Sequence, residues 1–163
     1  MTETRPGLTI GADHAGFALK EALKAALAAQ GYDVTDAGTS SAEPADYPDF
    51  AARVARAVSR GTGGRGILIC GSGIGMSITA NRFPRVRAAL CLDAEAARLS
   101  RLHNDANILV LAARRTGTED AVDIASVWLA TPFEGGRHQR RLEKIRAIER
   151  DVCSTSSTDP EEE

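Results

Sequence analysis

Short apolar runs alternate with amphipathic stretches along most of the chain. Five runs have the length of buried strands, and each precedes a stretch with apolar residues at helical spacing. The predicted strands are 8–13, 32–36, 66–70, 86–91 and 107–111, and the predicted helices are 17–30, 49–60, 74–82, 94–102, 118–130 and 137–150. Parallel strands need a crossover connection, usually a helix. The alternation therefore predicts an α/β fold, a three-layer αβα sandwich with a five-stranded, parallel, Rossmann-like sheet and a C-terminal helix.

The helical pattern ends near residue 150, where the composition changes. Residues 151–163 are polar, low in complexity, and contain five acidic residues and no basic one. Without them, 17 acidic residues face 20 basic ones, so the net charge of −2 divides into a weakly positive body and a strongly negative tail. A chain of 163 residues can bury one sizeable core. We therefore expect a single domain over 1–150 and a disordered acidic tail over 151–163.

Composition argues against several classes of protein. No apolar run approaches the roughly 18 residues of a membrane span, and the N-terminus lacks the pattern of a signal peptide. We therefore expect a cytoplasmic protein that does not contact membranes. The three cysteines have no paired spacing, and few other candidate ligands cluster, so we expect neither disulfides nor a metal. A near-neutral body with 4% aromatic residues also argues against nucleic-acid binding, which needs positive charge and stacking surfaces.

A glycine-rich turn follows the central predicted strand. Cys70 ends that strand, and Gly71, Gly73 and Gly75 alternate before the next helix. Ligands of parallel sheets bind at the carboxyl ends of strands, and glycines let backbone amides converge there on an anion. The turn is not a dinucleotide fingerprint, because Met76 stands where the third glycine is required. The pattern predicts a small anionic ligand and leaves a nucleotide-binding module as an alternative.

Cys70 is the candidate chemical centre of this turn. A cysteine that ends a buried strand often only fills the core. Beside a helix N-terminus, however, a thiolate is stabilised and can act as a base or nucleophile. The residues alone leave both interpretations open.

Polar residues follow other predicted strands as well. Asp13 and His14 follow the first strand, Asp93 the fourth, and Arg114 the fifth, so all four lie on the ligand-binding side of a parallel sheet. His103 precedes the fifth strand and therefore lies at the opposite end of its own sheet. A second subunit could bring this histidine to the site, which suggests a dimer.

The last predicted helix is basic. Arg137 and Arg141 are four residues apart and share one face. This face is either solvated or a clamp for phosphate, because guanidinium groups offer paired donors that fit a phosphate.

Five separated motifs, taken in order, resemble those of ribose-5-phosphate isomerase type B, in the sugar-phosphate isomerase family that includes the galactose-6-phosphate isomerase subunits. The likeness spans about residues 7–150 and is carried by GADHAGF (11–17), DYP (46–48), ICGSGIG (69–75), SRLHND (100–105) and EGGRHQRR (134–141). The resemblance implies an aldose–ketose isomerase that interconverts ribose 5-phosphate and ribulose 5-phosphate through an enediolate without a cofactor. One branch of the family has a glutamate in place of Met76. Methionine cannot accept a proton, so the chain resembles the cysteine branch.

The resemblance also implies roles for individual residues. Cys70 would be the general base that moves a proton between C1 and C2, and His103 would open the furanose ring. The Ser72 hydroxyl and the amides of the turn would stabilise the enediolate. The implied substrate contacts are Asp13, His14, Tyr47, Gly71, Ser72, Gly73, Ile74, Gly75, Asn104, Arg114, Arg137 and Arg141, with His14 and the three arginines near the phosphate. The family is a homodimer or a dimer of dimers with sites between subunits.

The motifs do not identify the sugar. Allose 6-phosphate, galactose 6-phosphate or a four-carbon ketose phosphate would suit the same framework, because the depth of the pocket decides among them. A catalytically silent subunit is a weaker alternative, because every implied site residue is present.

Overall fold

The computed structural model describes Arg5 and residues 7–155. Five parallel strands form one sheet in the order β2-β1-β3-β5-β4, with helices on both faces. The strands are β1 (Leu8–Ala12), β2 (Val34–Asp36), β3 (Arg65–Cys70), β4 (Ala88–Leu90) and β5 (Ile108–Ala112), and the helices are α1 (Phe17–Ala29), α2 (Tyr47–Ser59), α3 (Ile74–Ala80), α4 (Ala94–Asn104), α5 (Thr118–Ala130) and α6 (Arg137–Thr155). This architecture confirms the predicted three-layer α/β fold. None of the described helices combines the length and the apolar character of a membrane span.

The three central strands are buried on both faces, which is why they are continuous apolar runs. Successive side chains of a strand point to opposite faces. In β3, Ile67 and Ile69 join the core beneath α1, α4 and α5, whereas Leu68 and Cys70 join the core beneath α2 and α3. The alternation thus places the Cys70 side chain on the α2–α3 face of the sheet.

The edge strands are shorter than the sequence pattern indicates. The predicted strand 86–91 contributes only Ala88–Leu90, because the amide of Arg87 bonds to the side-chain oxygen of Asn107 at 2.7 Å. Helix α3, which precedes β4, ends at Ala80, two residues before its predicted end. There the Asn81 side chain bonds to the carbonyl of Ser77 and to the backbone of Ala88. Asparagine side chains therefore bond to the backbone at both of these ends, at the start of β4 and at the end of α3.

Helix α6 continues to Thr155, five residues beyond its predicted end. The first five residues of the expected disordered tail are therefore helical. No glycine or proline interrupts the chain between 137 and 155, and the Ser154 hydroxyl donates to the carbonyl of Asp151 within the last turn. The rest of the expected tail, 156–163, lies outside the described residues.

The strand order places a topological switch point between β1 and β3. The chain leaves β1 toward β2 on one side of the sheet, whereas β3, β5 and β4 lie on the other side. Ligands of such sheets bind in the crevice where the order reverses, outside the carboxyl ends of the strands. Asp13 and Cys70 lie at the ends of these two strands.

Candidate active site

The predicted site residues fall into two groups at opposite edges of the sheet. The carboxyl-edge group comprises Asp13, His14, Tyr47, Cys70, Gly71, Ser72, Gly73, Ile74, Gly75 and Arg114, and the amino-edge group comprises His103, Asn104, Arg137 and Arg141. Helix α4 starts at the carboxyl edge and has 11 residues, which corresponds to about 16 Å. His103 lies in its last turn. One chain therefore keeps His103 away from its own Cys70.

The Cys70 sulfur is held by the turn that follows β3. The amide of Gly73 donates to Cys70 Sγ at 3.2 Å, and the amide of Ile74 donates to Ser72 Oγ at 3.3 Å. Cys70 is 4% exposed, so it lies just beneath the turn. The thiol and the hydroxyl are therefore both fixed by the same short piece of backbone.

Gly73 permits this geometry. Its φ is +76°, a left-handed conformation that side chains disfavour. A Cβ atom there would approach Leu90 Cδ1 to 2.5 Å and the carbonyl oxygen of Leu111 to 3.2 Å. Only glycine fits without strain.

The other buried cysteine has a different environment. Burial raises the pKa of Cys91 to about 11, so this thiol stays protonated at neutral pH. Its sulfur lies 3.6 Å from the carbonyl oxygen of Ala89, which accepts from the thiol. Among the described cysteines, Cys70 is the one whose sulfur accepts a hydrogen bond from a backbone amide.

Two large side chains cover the glycine turn. The Arg114 guanidinium lies over Gly71, where a Cβ atom would come within 3.0 Å of its Cζ. The Tyr47 ring lies over Gly75, where a Cβ atom would come within 2.5 Å of the ring carbons Cε2 and Cζ. The two glycines therefore let a cationic and a phenolic side chain pack directly on the backbone beside Cys70.

The turn after β1 contributes the remaining carboxyl-edge side chains. Asp13 is buried, and its Oδ1 accepts from the amide of Gly16 at 3.1 Å. A Cβ atom on Gly16 would lie 2.5 Å from the carbonyl oxygen of Ile69, so this turn packs against the end of β3. His14 is exposed, and its Nδ1 lies 3.1 Å from both the amide nitrogen and the carbonyl oxygen of Ala45. The loop before α2 therefore orients the imidazole.

A buried lysine, which sequence reasoning missed, anchors that loop. Lys20 is 1% exposed, and its ammonium group donates to Asp36 and to Glu21. Asp36 Oδ1 in turn accepts from the amide of Gly38 at 2.9 Å, at the start of the loop. Burial alone would raise the pKa of Asp36, but hydrogen bonds from Lys20 and Lys24 hold it below its ordinary value of 3.8. The signal in the sequence is that Lys20 falls on the apolar face of α1.

At the amino edge, His103 belongs to a cluster that the sequence did not predict. Its ring stacks on that of His138, with centroids 4.3 Å apart and an interplanar angle of 16°. The same carboxylate oxygen, Glu134 Oε2, lies 3.9 Å from His103 Nε2 and 3.2 Å from His138 Nε2. We call these three residues the histidine stack. Arg137 and Arg141 are exposed on the first two turns of the adjoining helix.

The histidine stack is the described cluster that comes nearest to a metal site, since its three ligand atoms lie within 4.8 Å of one another. Two parallel rings, however, direct their lone pairs in parallel and not toward one ion. The Nε of Arg137 also donates to His138 Nε2 at 3.4 Å, so a cation already occupies this position. Burial, with the nearby charges of His103 and Arg137, lowers the pKa of His138. The arrangement suits a neutral buried imidazole better than a metal ligand.

Comparison with known proteins agrees with these features. The family model described as Ribose/Galactose Isomerase matches residues 8–145. Ribose-5-phosphate isomerase B of Escherichia coli (strain K12) is 49% identical over 142 residues, which cover 87% of this chain and 95% of that protein.

Solved structures give the same result. Ribose-5-phosphate isomerase B of Clostridium thermocellum superposes with a TM-score of 0.88 at 49% identity, over 90% of this chain and 99% of that one. The Mycoplasma genitalium enzyme of the same name, solved with bound ribulose-5-phosphate, has a TM-score of 0.85 at 38% identity, over 88% of this chain and 96% of that one. Both findings confirm the resemblance carried by the sequence motifs. The chain is therefore an isomerase that belongs to the Ribose/Galactose Isomerase family.

Proposed function

We propose that the chain interconverts ribose 5-phosphate and ribulose 5-phosphate, with Cys70 as the general base. The observation that carries this proposal is the hydrogen bond from the Gly73 amide to Cys70 Sγ, at the end of a central strand beside the switch point. The relatives named above support the five-carbon substrate over allose 6-phosphate, galactose 6-phosphate or a four-carbon ketose phosphate. A charged sugar phosphate does not cross a bilayer unaided, which favours a cytoplasmic enzyme.

The first chemical step opens the furanose ring. The bond between C1 and the ring oxygen breaks, the ring oxygen gains a proton, and the C1 hydroxyl loses one. His103 donates the proton to the ring oxygen, because an imidazole can serve as a general acid. Asn104, the next residue on α4, binds the sugar oxygens.

The second step moves a proton between two carbons. Cys70 removes the proton from C2 of the open aldose, which leaves an enediolate, and returns it to C1, while a proton passes from O2 to O1. The barrier falls only if the protein stabilises the enediolate more than the sugar. We expect the amides of the turn and the Ser72 hydroxyl to stabilise the enediolate, and the loss of one such donor typically lowers the rate about 10²–10³-fold.

The phosphate is remote from the reacting carbons. Arg114 and His14 would contact it from the carboxyl edge of one chain, and Arg137 and Arg141 from the amino edge of a second copy. Guanidinium groups bind phosphate through paired hydrogen bonds. The binding energy fixes C1 and C2 against Cys70, which lowers the entropic part of the barrier.

The assembly that we propose is a homodimer, or a dimer of dimers, whose sites lie between subunits. The two edge groups belong to opposite edges of one sheet, so a second copy must bring its His103 to this chain's Cys70. Exposed apolar side chains lie beside each group: Ile74 is 56% exposed on α3, and Ile148 is 64% exposed on α6. Ile148 lines an apolar cavity of about 570 Å³ that also reaches Asn104. Exposed apolar side chains beside both groups support an interface between protein chains.

The test of the proposed function is the turnover of Cys70→Ala on ribose 5-phosphate. We expect kcat to become undetectable while the affinity for the substrate, measured by calorimetry, stays within about threefold, because the thiol moves a proton and contributes little to binding. Cys91→Ala is the matched control and should retain kcat. Substantial turnover by Cys70→Ala would exclude the thiol as the base.

The choice of substrate is tested separately with phosphorylated aldoses of four, five and six carbons. We expect the highest kcat/KM with ribose 5-phosphate, and a higher value with another sugar would overturn that assignment. Stabilisation against thermal unfolding by a nicotinamide or adenine nucleotide, with none by sugar phosphates, would favour the nucleotide-binding alternative.

A further inference from the structure

We propose that Glu134 and His138 are positioning residues for His103, which hold its imidazole for ring opening and have no part in the proton transfer between C1 and C2. This inference rests on the proposed function, since it takes His103 as the residue that opens the ring. Neither Glu134 nor His138 is among the residues to which the sequence motifs assigned a role.

The backbone holds the histidine stack in place from two elements. The amide of Glu134 donates to the carbonyl of Leu102 at 3.1 Å, immediately before His103 on α4. Arg101 Nε donates to the carbonyl of Thr131 at 3.3 Å, so the connection from α5 to α6 is fastened to α4 at two points. Glu134 therefore has its backbone fixed although its side chain is exposed.

Two glycines then turn the chain, so that α6 begins in contact with α4. Gly135 and Gly136 have φ values of +72° and +56°, which side chains disfavour. The amide of His138 closes this turn on the carbonyl of Gly135 at 3.1 Å. The turn brings the His138 ring onto the His103 ring.

Because His138 is buried, its ring is a fixed surface against which the His103 ring packs. His138 is 4% exposed, whereas the His103 side chain is 37% exposed. The more exposed ring has rotamer freedom to lose, and the buried ring beneath it restricts the plane that it can adopt. Stacking with His138 therefore reduces the freedom of His103 before substrate arrives.

Glu134 adds a preference for one ring nitrogen. Its Oε2 atom lies 3.9 Å from Nε2 of His103, and a carboxylate favours a proton on the nearer ring nitrogen. The Nε2 atom of His138 accepts from Arg137 instead. Glu95 also interacts with His103, but it is paired with Arg98 on α4. On α6, Arg137 contacts His138. Glu134 is therefore the carboxylate that faces the ring from the connection between α5 and α6.

Chemistry offers a readout that separates ring opening from proton transfer. Ribulose 5-phosphate cannot form a furanose ring, because its C5 oxygen carries the phosphate. Its exchange of a C1 proton for deuterium in D2O therefore requires Cys70 but no ring opening. Conversion of ribose 5-phosphate requires both steps. A positioning residue for His103 should affect the second reaction and spare the first.

The experiment compares both reactions for His103→Ala, His138→Ala, His138→Phe and Glu134→Gln. Loss of a general acid lowers a rate about 10²–10⁴-fold, and a misplaced one can lose about 10²-fold. We expect His138→Ala and Glu134→Gln to lower kcat on ribose 5-phosphate at least about tenfold, with KM and deuterium exchange at C1 within about twofold. Because Phe preserves a stacking ring, His138→Phe should regain most of kcat. Glu143→Gln, the same chemical change at an exposed position on α6, is the control and should match the wild type.

Each other result contradicts the proposal in a distinguishable way. Wild-type kcat in both His138→Ala and Glu134→Gln would refute the positioning role alone. An equal fall in conversion and exchange would show that the two residues support the fold or the phosphate site instead. If His103→Ala itself lowered both reactions equally, the ring-opening role of His103 would fail, and the positioning role with it. Thermal unfolding of each variant identifies any loss that comes from misfolding.

Discussion

Gly73 carries the amide that donates to the Cys70 sulfur, and its left-handed backbone makes that hydrogen bond possible. Gly73 meets two requirements. It turns the chain from β3 into α3, and its lack of a side chain avoids a clash with Leu90 and Leu111. Stability and chemistry therefore depend on the same missing side chain. Gly31 offers a comparison, because its φ is +85° but no atom lies within 4 Å of a Cβ built there.

Gly73→Ala should therefore reduce both stability and rate, whereas Gly31→Ala should reduce stability alone. A left-handed conformation disfavours alanine by about 1 kcal/mol at either position. Crowding against Leu111 should add about 1 kcal/mol more at Gly73, where the displaced amide should also lower kcat at least about tenfold. Urea unfolding and turnover of ribose 5-phosphate measure the two effects. Unchanged kcat in a folded Gly73→Ala protein would contradict the role of this amide.

Helix α1 and strand β2 are joined by buried charge as well as by apolar contacts. Lys20 lies on the face of α1 that also buries Leu23 and Leu27, and it reaches Asp36 at the end of β2. A buried ammonium is tolerated only if it is paired. The pair also fixes the start of the loop that reaches His14, so an interaction between two elements supports the position of a side chain at the site.

Asp36→Asn should lower the free energy of unfolding at pH 7 by about 1–3 kcal/mol, because Lys20 loses one of its charged partners. The folded pKa of Asp36 is depressed, so its carboxylate stabilises the wild type above pH 3.8. That contribution is lost as the pH falls through the folded pKa. The difference between wild type and variant should therefore be full at neutral pH and shrink below about pH 4.

Chemical denaturation across this pH range measures the effect of Asp36→Asn. Asp33→Asn is the control, since this aspartate is exposed at the approach to the same strand, and its substitution should change stability by less than about 0.5 kcal/mol. A pH-independent difference for Asp36→Asn would show that the depressed pKa is not the source of the stability.

The molecule as a whole divides its proposed chemistry between two edges of one sheet. The base and the enediolate-stabilising turn lie at the carboxyl edge, whereas the ring-opening histidine and two of the arginines lie at the amino edge. In a twofold symmetric dimer, the amino edge of each chain would lie against the carboxyl edge of the other. Two such sites would then be built from one kind of chain.

Mixing two inactive variants tests this arrangement directly. Cys70→Ala and His103→Ala should each convert ribose 5-phosphate poorly. After exchange of subunits, half of the dimers should contain one chain of each kind and therefore one intact site, which restores about a quarter of wild-type activity. If each site were formed within a single chain, mixing the two variants would restore no activity. Each variant put through the same exchange alone is the control.

Much of the carboxyl-edge group could be predicted from the sequence. Asp13, Cys70 and Arg114 each directly follow or end an apolar run, and parallel strands bring such positions to one edge. The placement of His103 at the opposite edge follows from the same reasoning. These conclusions need only the local period of apolar residues and the direction of each strand, which neighbouring residues encode.

Contacts between distant elements were decided only by the tertiary structure. Nothing local to His103 indicates a second imidazole stacked on it, because His138 belongs to another helix that packing brings alongside. The pairing of Lys20 with Asp36 and the depth of Cys70 beneath its turn have the same origin. The sequence by itself determined which elements form and which end of each strand carries polar residues, since these depend on short-range periodicity. The tertiary structure decided which side chains meet, because that depends on how the helices pack on the sheet.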